Sequence, residues 1–415
     1  MKEKRQVTSD KRRATLAAHR AQQRNALAAG FLGWTLDAFD FFVLTFVLGP
    51  VARDFHVSIP DIALTLTASL VTRPVGAVIF GLMADRYGRR LPMALNVAFY
   101  TTIEVLSGMA PNYTTFFALR LLYGIGMGGE WGVGASLAME SVPARWRGTL
   151  SGLLQEGYAF GALLAAIAYS VIFPRWGWRP LFFIGAVPAA VTLLILARVK
   201  ETEAWRQSRT DWATYKGAMF QNWKLFLYLV LLMTMMNSMS HGTQDLYPTF
   251  LQRQRHFDSH WTAMTSMISM VGAVLGGLAF GLYSDRRGRR RAMVTAALLA
   301  AILTPLWILA PTLSLLVLGG FLMQFMVQGA WGVIPAHINE LSPSSLRGFF
   351  PGFAYQLGVL FASSIGYVEA VLGEHFSYTH SMGILAATAL LVGGAVIALG
   401  PEAHAVSFGK EDPVV

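Results

Sequence analysis

Apolar runs of about twenty residues follow one another along nearly the whole chain, and short joints rich in arginine separate them. A run of that kind folds as a helix, because in hydrocarbon every backbone N–H and C=O has to be satisfied within its own segment. Only 13% of the 415 residues are charged, about half the usual share of a soluble protein, so the runs belong in a bilayer and not in an oversized core. Twelve spans fit, at 27–50, 61–84, 91–110, 114–140, 148–173, 179–198, 223–250, 262–284, 292–310, 312–341, 348–372 and 380–400. They divide into a first half, 27–198, and a second half, 223–400, joined by a charged linker at 199–222, with a polar cytoplasmic tail at 401–415. The absence of cysteine excludes disulfides and any thiolate-ligated metal or cluster.

The net charge of +10 marks topology and leaves nucleic acid without a binding surface. With the N-terminus inside, 26 Lys and Arg fall on the cytoplasmic side, and five (Arg53, Arg175, Arg179, Arg253 and Arg255) fall on the other. That imbalance places both termini in the cytoplasm. Residues 1–26 lack the apolar core and cleavage site of a signal peptide, and are expected to form a disordered cytoplasmic tail against anionic lipid.

An internal repeat sets the architecture. Gly81-Leu-Met-Ala-Asp-Arg-Tyr-Gly-Arg-Arg90 recurs as Gly281-Leu-Tyr-Ser-Asp-Arg-Arg-Gly-Arg-Arg290, an offset of 200. The same offset relates Trp131-Gly132 to Trp331-Gly332, Glu140 to Glu340, and Arg147-Gly148 to Arg347-Gly348. An even number of spans per repeat gives both halves one orientation about an axis along the membrane normal. These paired loops resemble the signature of the major facilitator superfamily, over nearly the whole chain. The resemblance implies an all-α membrane protein of twelve transmembrane helices, two six-helix parallel repeats around a central cavity.

The repeated charges read as a gate. Asp85, Arg86, Arg89, Glu140 and Arg147, with Asp285, Arg286, Arg289, Glu340 and Arg347, sit where cytoplasmic helix ends meet. Ion pairs among them would hold the inward side shut and break when the cavity opens. Positive-inside anchoring alone would explain the arginines but not the repeated acids.

Charged residues that break the repeat are the candidates for chemistry, since an ionisable group inside a span is costly and marks a functional site. Arg73 and Arg120 face Ala273 and Gly320 in the repeat, and Glu130 faces Ala330. Asp37 and Asp40, three apart on one helical face, meet Asn237 and Ser240. His241 and Asp245 meet Phe41 and Thr45, neither of which ionises. Arg73 offers a planar fork suited to a carboxylate, or it holds a buried acid such as Asp37 or Asp40. Arg120 resembles the span-4 arginine of proton-coupled sugar permeases, which faces a span-1 aspartate; that likeness pairs Arg120 with Asp40. Protonating the carboxylate would release such a pair and couple a proton to the conformational cycle, unless both acids are static helix glue.

The stretch Asn237–Thr249 supplies a polar stripe on an otherwise apolar helix. At ~100° per residue, Asn237, His241, Gln244 and Pro248 fall within about a quarter of the circumference. His241 beside Asp245 can exchange a proton near neutral pH, so it carries the coupling proton or hydrogen-bonds substrate. Gly124-x-Gly-x-Gly lies within a span with no preceding strand, which makes it a close-packing site and not a dinucleotide loop. His337 reads as a hydrogen-bonded packing residue.

Asn237-x-x-Ser240-His241-x-Thr243-Gln244-Asp245-x-x-x-Thr249 matches, at every fixed position, the span-7 motif of the fungal JEN-type monocarboxylate permeases. Arg73-Pro-Val-Gly-Ala-Val-Ile-Phe-Gly81 and Tyr355-Gln356-Leu-Gly358 resemble the same family, which groups with bacterial sialic-acid permeases. The sequence departs at Val359, where the fungal members carry an amide, and its short linker disfavours the sialic-acid branch. The resemblance implies proton symport of lactate, pyruvate or a similar short acid, with Arg73, Asn237, His241, Gln244, Asp245 and Gln356 engaged in transport. A small acid needs one cationic clamp, a few amide donors and an apolar wall. Arg73 is the expected clamp, with Asn237, Gln244 and Gln356 as donors. Asp37, Asp40, Arg120, Glu130, His241 and Asp245 are the proton-coupling candidates. The alternative cargo is another organic anion, sialic acid or an aromatic acid. A membrane sensor would need an output domain larger than the tails or the linker. We therefore expect a monomeric transporter in the cytoplasmic (inner) membrane, with a small carboxylate, protons and lipid as its partners, and with no enzymatic chemistry, cofactor or metal.

Overall fold

The computed structural model describes residues 2–408 apart from 58, 209–211, 248–249, 252–253, 258, 364, 405 and 407. Its first half runs α1 (Lys2–Asp54), α2 (Ile59–Tyr87), α3 (Arg90–Gly108), α4 (Tyr113–Ser141), α5 (Arg147–Gln155), α6 (Gly157–Trp176), α7 (Arg179–Ile184) and α8 (Ala186–Arg198). The linker carries α9 (Glu203–Ser208) and α10 (Trp212–Gln221). The second half runs α11 (Trp223–Gln244), α12 (Ser259–Arg287), α13 (Arg289–Leu309), α14 (Leu313–Leu341), α15 (Phe350–Ala362), α16 (Ile365–His375) and α17 (Tyr378–Leu399).

The repeat is visible helix by helix. α2 and α12 both end in the Asp-Arg loop, α4 and α14 occupy equivalent positions, and each is followed by a single 3-10 turn, Ala144–Trp146 or Ser344–Leu346. Even the caps correspond. Asn112 accepts from Thr115 N at 2.9 Å, and Thr312 Oγ1 accepts from Leu315 N at 3.4 Å.

Nine helices among the described residues are long and apolar enough to cross a membrane. The other three expected spans fall on α3, on α4 and on the α15–α16 pair. Glu104 lies in α3, Arg120 and Glu130 lie in α4, and the α15–α16 span is interrupted after Ala362; each lowers the apolar signal. Large apolar side chains stand exposed on the outer surface, Ile302 at 73% and Val187 at 66% among them, as a lipid-facing surface requires. The tail expected to be disordered differs: α1 reaches back to Lys2. Residues 2–26 contain neither Gly nor Pro and are rich in Ala, Lys, Arg and Gln, which favour helix.

The halves meet through α5 against α12 and α14, and through α15 against α2 and α4. Small residues make those crossings possible: a Cβ on Gly352 would sit 3.0 Å from Gly132 Cα. Within the first half, Gly124 and Gly128 lie against the Ser69 and Arg73 carbonyls, so the glycine run is indeed where α2 and α4 touch.

Candidate functional site

Two latches join the halves at the basic face, built by the repeated loops. Asp85 accepts from Gly348 N at 2.6 Å and Phe349 N at 3.1 Å, across the half boundary. Asp285 returns the arrangement, accepting from Gly148 N at 2.8 Å and from Thr149 N and Oγ1 at 2.8 and 2.7 Å. In each loop a glycine with positive φ, Gly88 (100°) or Gly288 (96°), turns the chain so that the following arginine reaches back. Arg89 then binds Asp85 at 2.7 Å and Glu140 at 2.9 Å; Arg289 binds Asp285 at 2.7 Å and Glu340 at 2.9 Å. Arg147 reaches Glu340 at 2.8 Å and Arg347 reaches Glu140 at 3.9 Å, both between halves. The expected network is therefore present, with one correction. Arg86 and Arg286 make no side-chain ion pair or hydrogen bond among the described residues; Arg86 is half-buried and Arg286 exposed, whereas Arg89 and Arg289 are buried.

Three pieces of this network lie outside the expected set. Glu201, in the linker, accepts from Arg89 N at 3.0 Å and Arg90 N at 3.2 Å. Glu402, after α17, accepts from Arg289 N at 3.1 Å and Arg290 N at 3.0 Å. Each carboxylate thus caps the exposed N–H groups of a helix start. The third piece is Phe408, whose ring lies 3.7 Å from the Arg147 guanidinium and 3.9 Å from that of Arg347, one from each half. Arg147 also donates to Val406 O at 2.9 Å.

Asp85 and Asp285 are the members whose loss is expected to open this face. Their carboxylates hold the N-terminal turns of the facing half, and hydrogen bonds to a charged group contribute about 1.5–3 kcal/mol each. The double variant Asp85→Asn/Asp285→Asn should shift the population toward separation of the basic ends by roughly tenfold or more. Because the chain has no cysteine, paired spin labels can be introduced on the two halves without background. An unchanged distance distribution would remove the latches from the gate.

Inside the membrane region, α1, α2 and α4 bring the unrepeated charges together. Arg73 Nη2 donates to Asp37 Oδ2 at 3.3 Å, while Arg73 Nε and Asp37 Oδ1 have no partner among the described residues. The guanidinium is thus only partly engaged. Glu130 is fully buried beside them, and neither of its carboxylate oxygens has a partner among the described residues. Arg120 is not paired with Asp40. It donates to Glu104 and, at 2.9 Å, to Ser107 Oγ, and it stacks 4.2 Å over the Tyr123 ring. Glu104 on α3 displaced the expected partner because α3 packs directly on α4. Asp40 instead turns to α7–α8, where a Cβ on Gly185 would sit 2.5 Å from its Oδ1, and its oxygens have no partner among the described residues.

The polar stripe is real but internally committed. Asn237 Nδ2 donates to Met233 O at 2.7 Å, and Gln244 Nε2 to Gln324 Oε1 at 2.7 Å. Ser240 bridges Gln244 and Gln328 at 3.3 and 3.1 Å. His241 Nδ1 lies 3.0 Å from Asp245 Oδ2, and these two side chains are 39% and 44% exposed. Pro248 and Thr249 lie outside the described residues. Gln356 Nε2 donates across the half boundary to Gly128 O at 3.3 Å, leaving Oε1 without a partner among the described residues. His337 is buried as expected, but neither ring nitrogen has a hydrogen bond among the described residues.

An aromatic cluster spans the half boundary. Tyr355 packs 4.5 Å from Trp131, 6.0 Å from Trp331 and 6.4 Å from Trp34, and Trp34 stacks on Tyr158 at 5.6 Å. Trp131 and Trp331 are a repeat pair; the tyrosines are not. Arg73 lies within electrostatic reach of both Tyr158 and Tyr355.

Residues 30–279 match the family described as Major Facilitator Superfamily, and residues 212–403 match Sugar (and other) transporter. The chain belongs to the major facilitator superfamily. It is accordingly a multi-pass membrane transporter and not an enzyme. A facilitator structure, the proton:xylose symporter XylE bound to 6-bromo-6-deoxy-D-glucose, superposes with a TM-score of 0.75 over 94% of this chain and 98% of that one. At 17% identity that likeness speaks for the fold alone. Among facilitator relatives, the "Carboxylic acid transporter protein homolog" of Saccharomyces cerevisiae is 28% identical over 86% of this chain, which spans 62% of that relative's length. The "Probable 4-methylmuconolactone transporter" of Cupriavidus pinatubonensis is 29% identical over 93% of this chain and 92% of its own. The "Sialic acid transporter NanX" of Escherichia coli is 29% identical over 87% and 89%.

Proposed function

We propose that this facilitator moves a short monocarboxylate, such as lactate or pyruvate, together with a proton by alternating access. The observation that carries the reading is Arg73: a buried cation that, among the described residues, has a single 3.3 Å ion pair and an unpartnered Nε, beside the Glu130 carboxyl, which is likewise without a partner among them. A carboxylate entering there gains charge-assisted bonds without an existing strong pair having to break. Relatives named for carboxylic-acid and sialic-acid transport support an organic anion as cargo. The basic, latched face is proposed to be cytoplasmic, with both termini on that side of an inner membrane, and the unit to be a monomer.

In proteoliposomes with an alkaline interior, labelled lactate should accumulate, and a protonophore should abolish the accumulation. Lack of saturable lactate or pyruvate uptake would overturn the substrate assignment. A second reading, a ring-bearing or unsaturated acid, is favoured by the wall of Trp34, Trp131, Trp331 and Tyr355 and by the relative named for 4-methylmuconolactone. Competition of an aromatic acid and of sialic acid against lactate in the same vesicles separates the readings.

A further inference from the structure

We propose that Glu369 is a protonation site of the second half, working with the His241–Asp245 pair and separate from the acids of α1. The inference rests on the proton-symport reading above. Glu369 lies one turn into α16, which starts at Ile365 after α15 has ended at Ala362. Its side chain is fully buried, and neither carboxylate oxygen has a hydrogen-bond partner among the described residues. It is aimed at α11: a Cβ placed on Gly242 would sit 3.4 Å from Glu369 Oε1. Gly242 follows His241 directly, and Asp245 lies within electrostatic reach of Glu369. The buried acid thus stands behind a pair that is itself more than a third open to water.

An unpaired carboxylate in these surroundings costs several kcal/mol, and the neutral acid far less. Glu369 therefore holds a proton while the basic face is latched. The proton enters from water at Asp245, whose carboxylate accepts it. Transfer to Glu369 returns Asp245 to the anion beside His241 and leaves Glu369 neutral. Release runs in reverse once α11 and α16 separate enough to solvate the carboxylate. On α17, which also packs against α16, the titratable side chains are Tyr378 and His380 in the first turn, with His380 Nδ1 2.8 Å from Ser377 Oγ. The repeat equivalent of Glu369 is Tyr169, so the first half has no matching acid.

Infrared spectroscopy of the purified full chain in lipid nanodiscs reads this site with no substrate present. The carbonyl band of a protonated carboxyl group should be weaker in Glu369→Gln than in the wild type, and in the wild type it should be lost on raising the pH. A band unchanged by the substitution, or one that never titrates, would overturn the proposal. In proteoliposomes, one coupled proton across a gradient of about one pH unit supports about tenfold accumulation. Glu369→Gln should reduce that to parity while keeping substrate exchange, and Glu369→Asp should restore it in part. Wild-type accumulation by Glu369→Gln would also overturn the proposal. Should Glu369→Gln not fold, a shifted carboxyl band in Glu369→Asp decides the matter in the same way. If the acid offered is not the cargo, uptake fails in wild type and variants alike, while the infrared band still reports on Glu369.

Discussion

Arg73→Lys is expected to raise the half-saturating substrate concentration by about 10- to 100-fold while leaving the protein folded. Lysine keeps a charge for Asp37, so the 3.3 Å ion pair survives in some form and stability changes little. What is lost is the planar fork, whose second and third nitrogens are the ones available to an incoming carboxylate. Uptake kinetics in proteoliposomes, paired with a thermal unfolding curve, distinguish a lost clamp from a damaged fold. A half-saturating concentration near that of the wild type would show that the carboxylate binds elsewhere.

The other large effect belongs to Glu104. Removing it as Glu104→Ala leaves the Arg120 guanidinium, 1% exposed, without its main counter-charge, and breaking such a buried pair costs about 3–5 kcal/mol. The loss should appear as a lowered unfolding temperature in detergent. Replacing both partners by leucine should recover much of it, because two apolar groups leave no uncompensated charge behind. Asp40 is the acid placed to take over, since it lies within electrostatic reach of Arg120 and its oxygens have no partner among the described residues. Asp40→Asn should therefore do more harm in the Glu104→Ala background than in the wild type. Additive effects would mean that the two acids do not share the arginine.

Much of the architecture was legible because it is written twice. The offset of 200 picked out the loop acids and arginines, and the structure adds which of them pair, the Arg147–Glu340 crossing among them. The central site was legible in its cations, in Asp37, Asp40 and Glu130, and in the polar stripe from Asn237. Glu104 meets Thr304 in the repeat, so the rule that singled out Arg120 would have found its partner as well. Glu369, opposite Tyr169, falls under the same rule. Glu201 and Glu402 escaped for a different reason: they are 201 residues apart, one more than the repeat, and lie in the linker and the tail, where apolar periodicity gives no register. Phe408 is the single Phe, Tyr or Trp of the 401–415 tail, yet its role comes from two arginines brought together only by folding.

Glu201 and Glu402 also say something about how the molecule is assembled. Each half closes its own third helix with a glutamate supplied from just beyond its own last span, so the linker is to the first half what the tail is to the second. Each third-helix cap is supplied from within the half it closes. The covalent connection between them is then not what closes either third helix, and the aspartate latches are among the bonds that dock one half on the other. A chain cut within the linker beyond Glu201 would keep every one of those bonds, which makes the linker the natural place to divide this transporter into two co-expressed fragments.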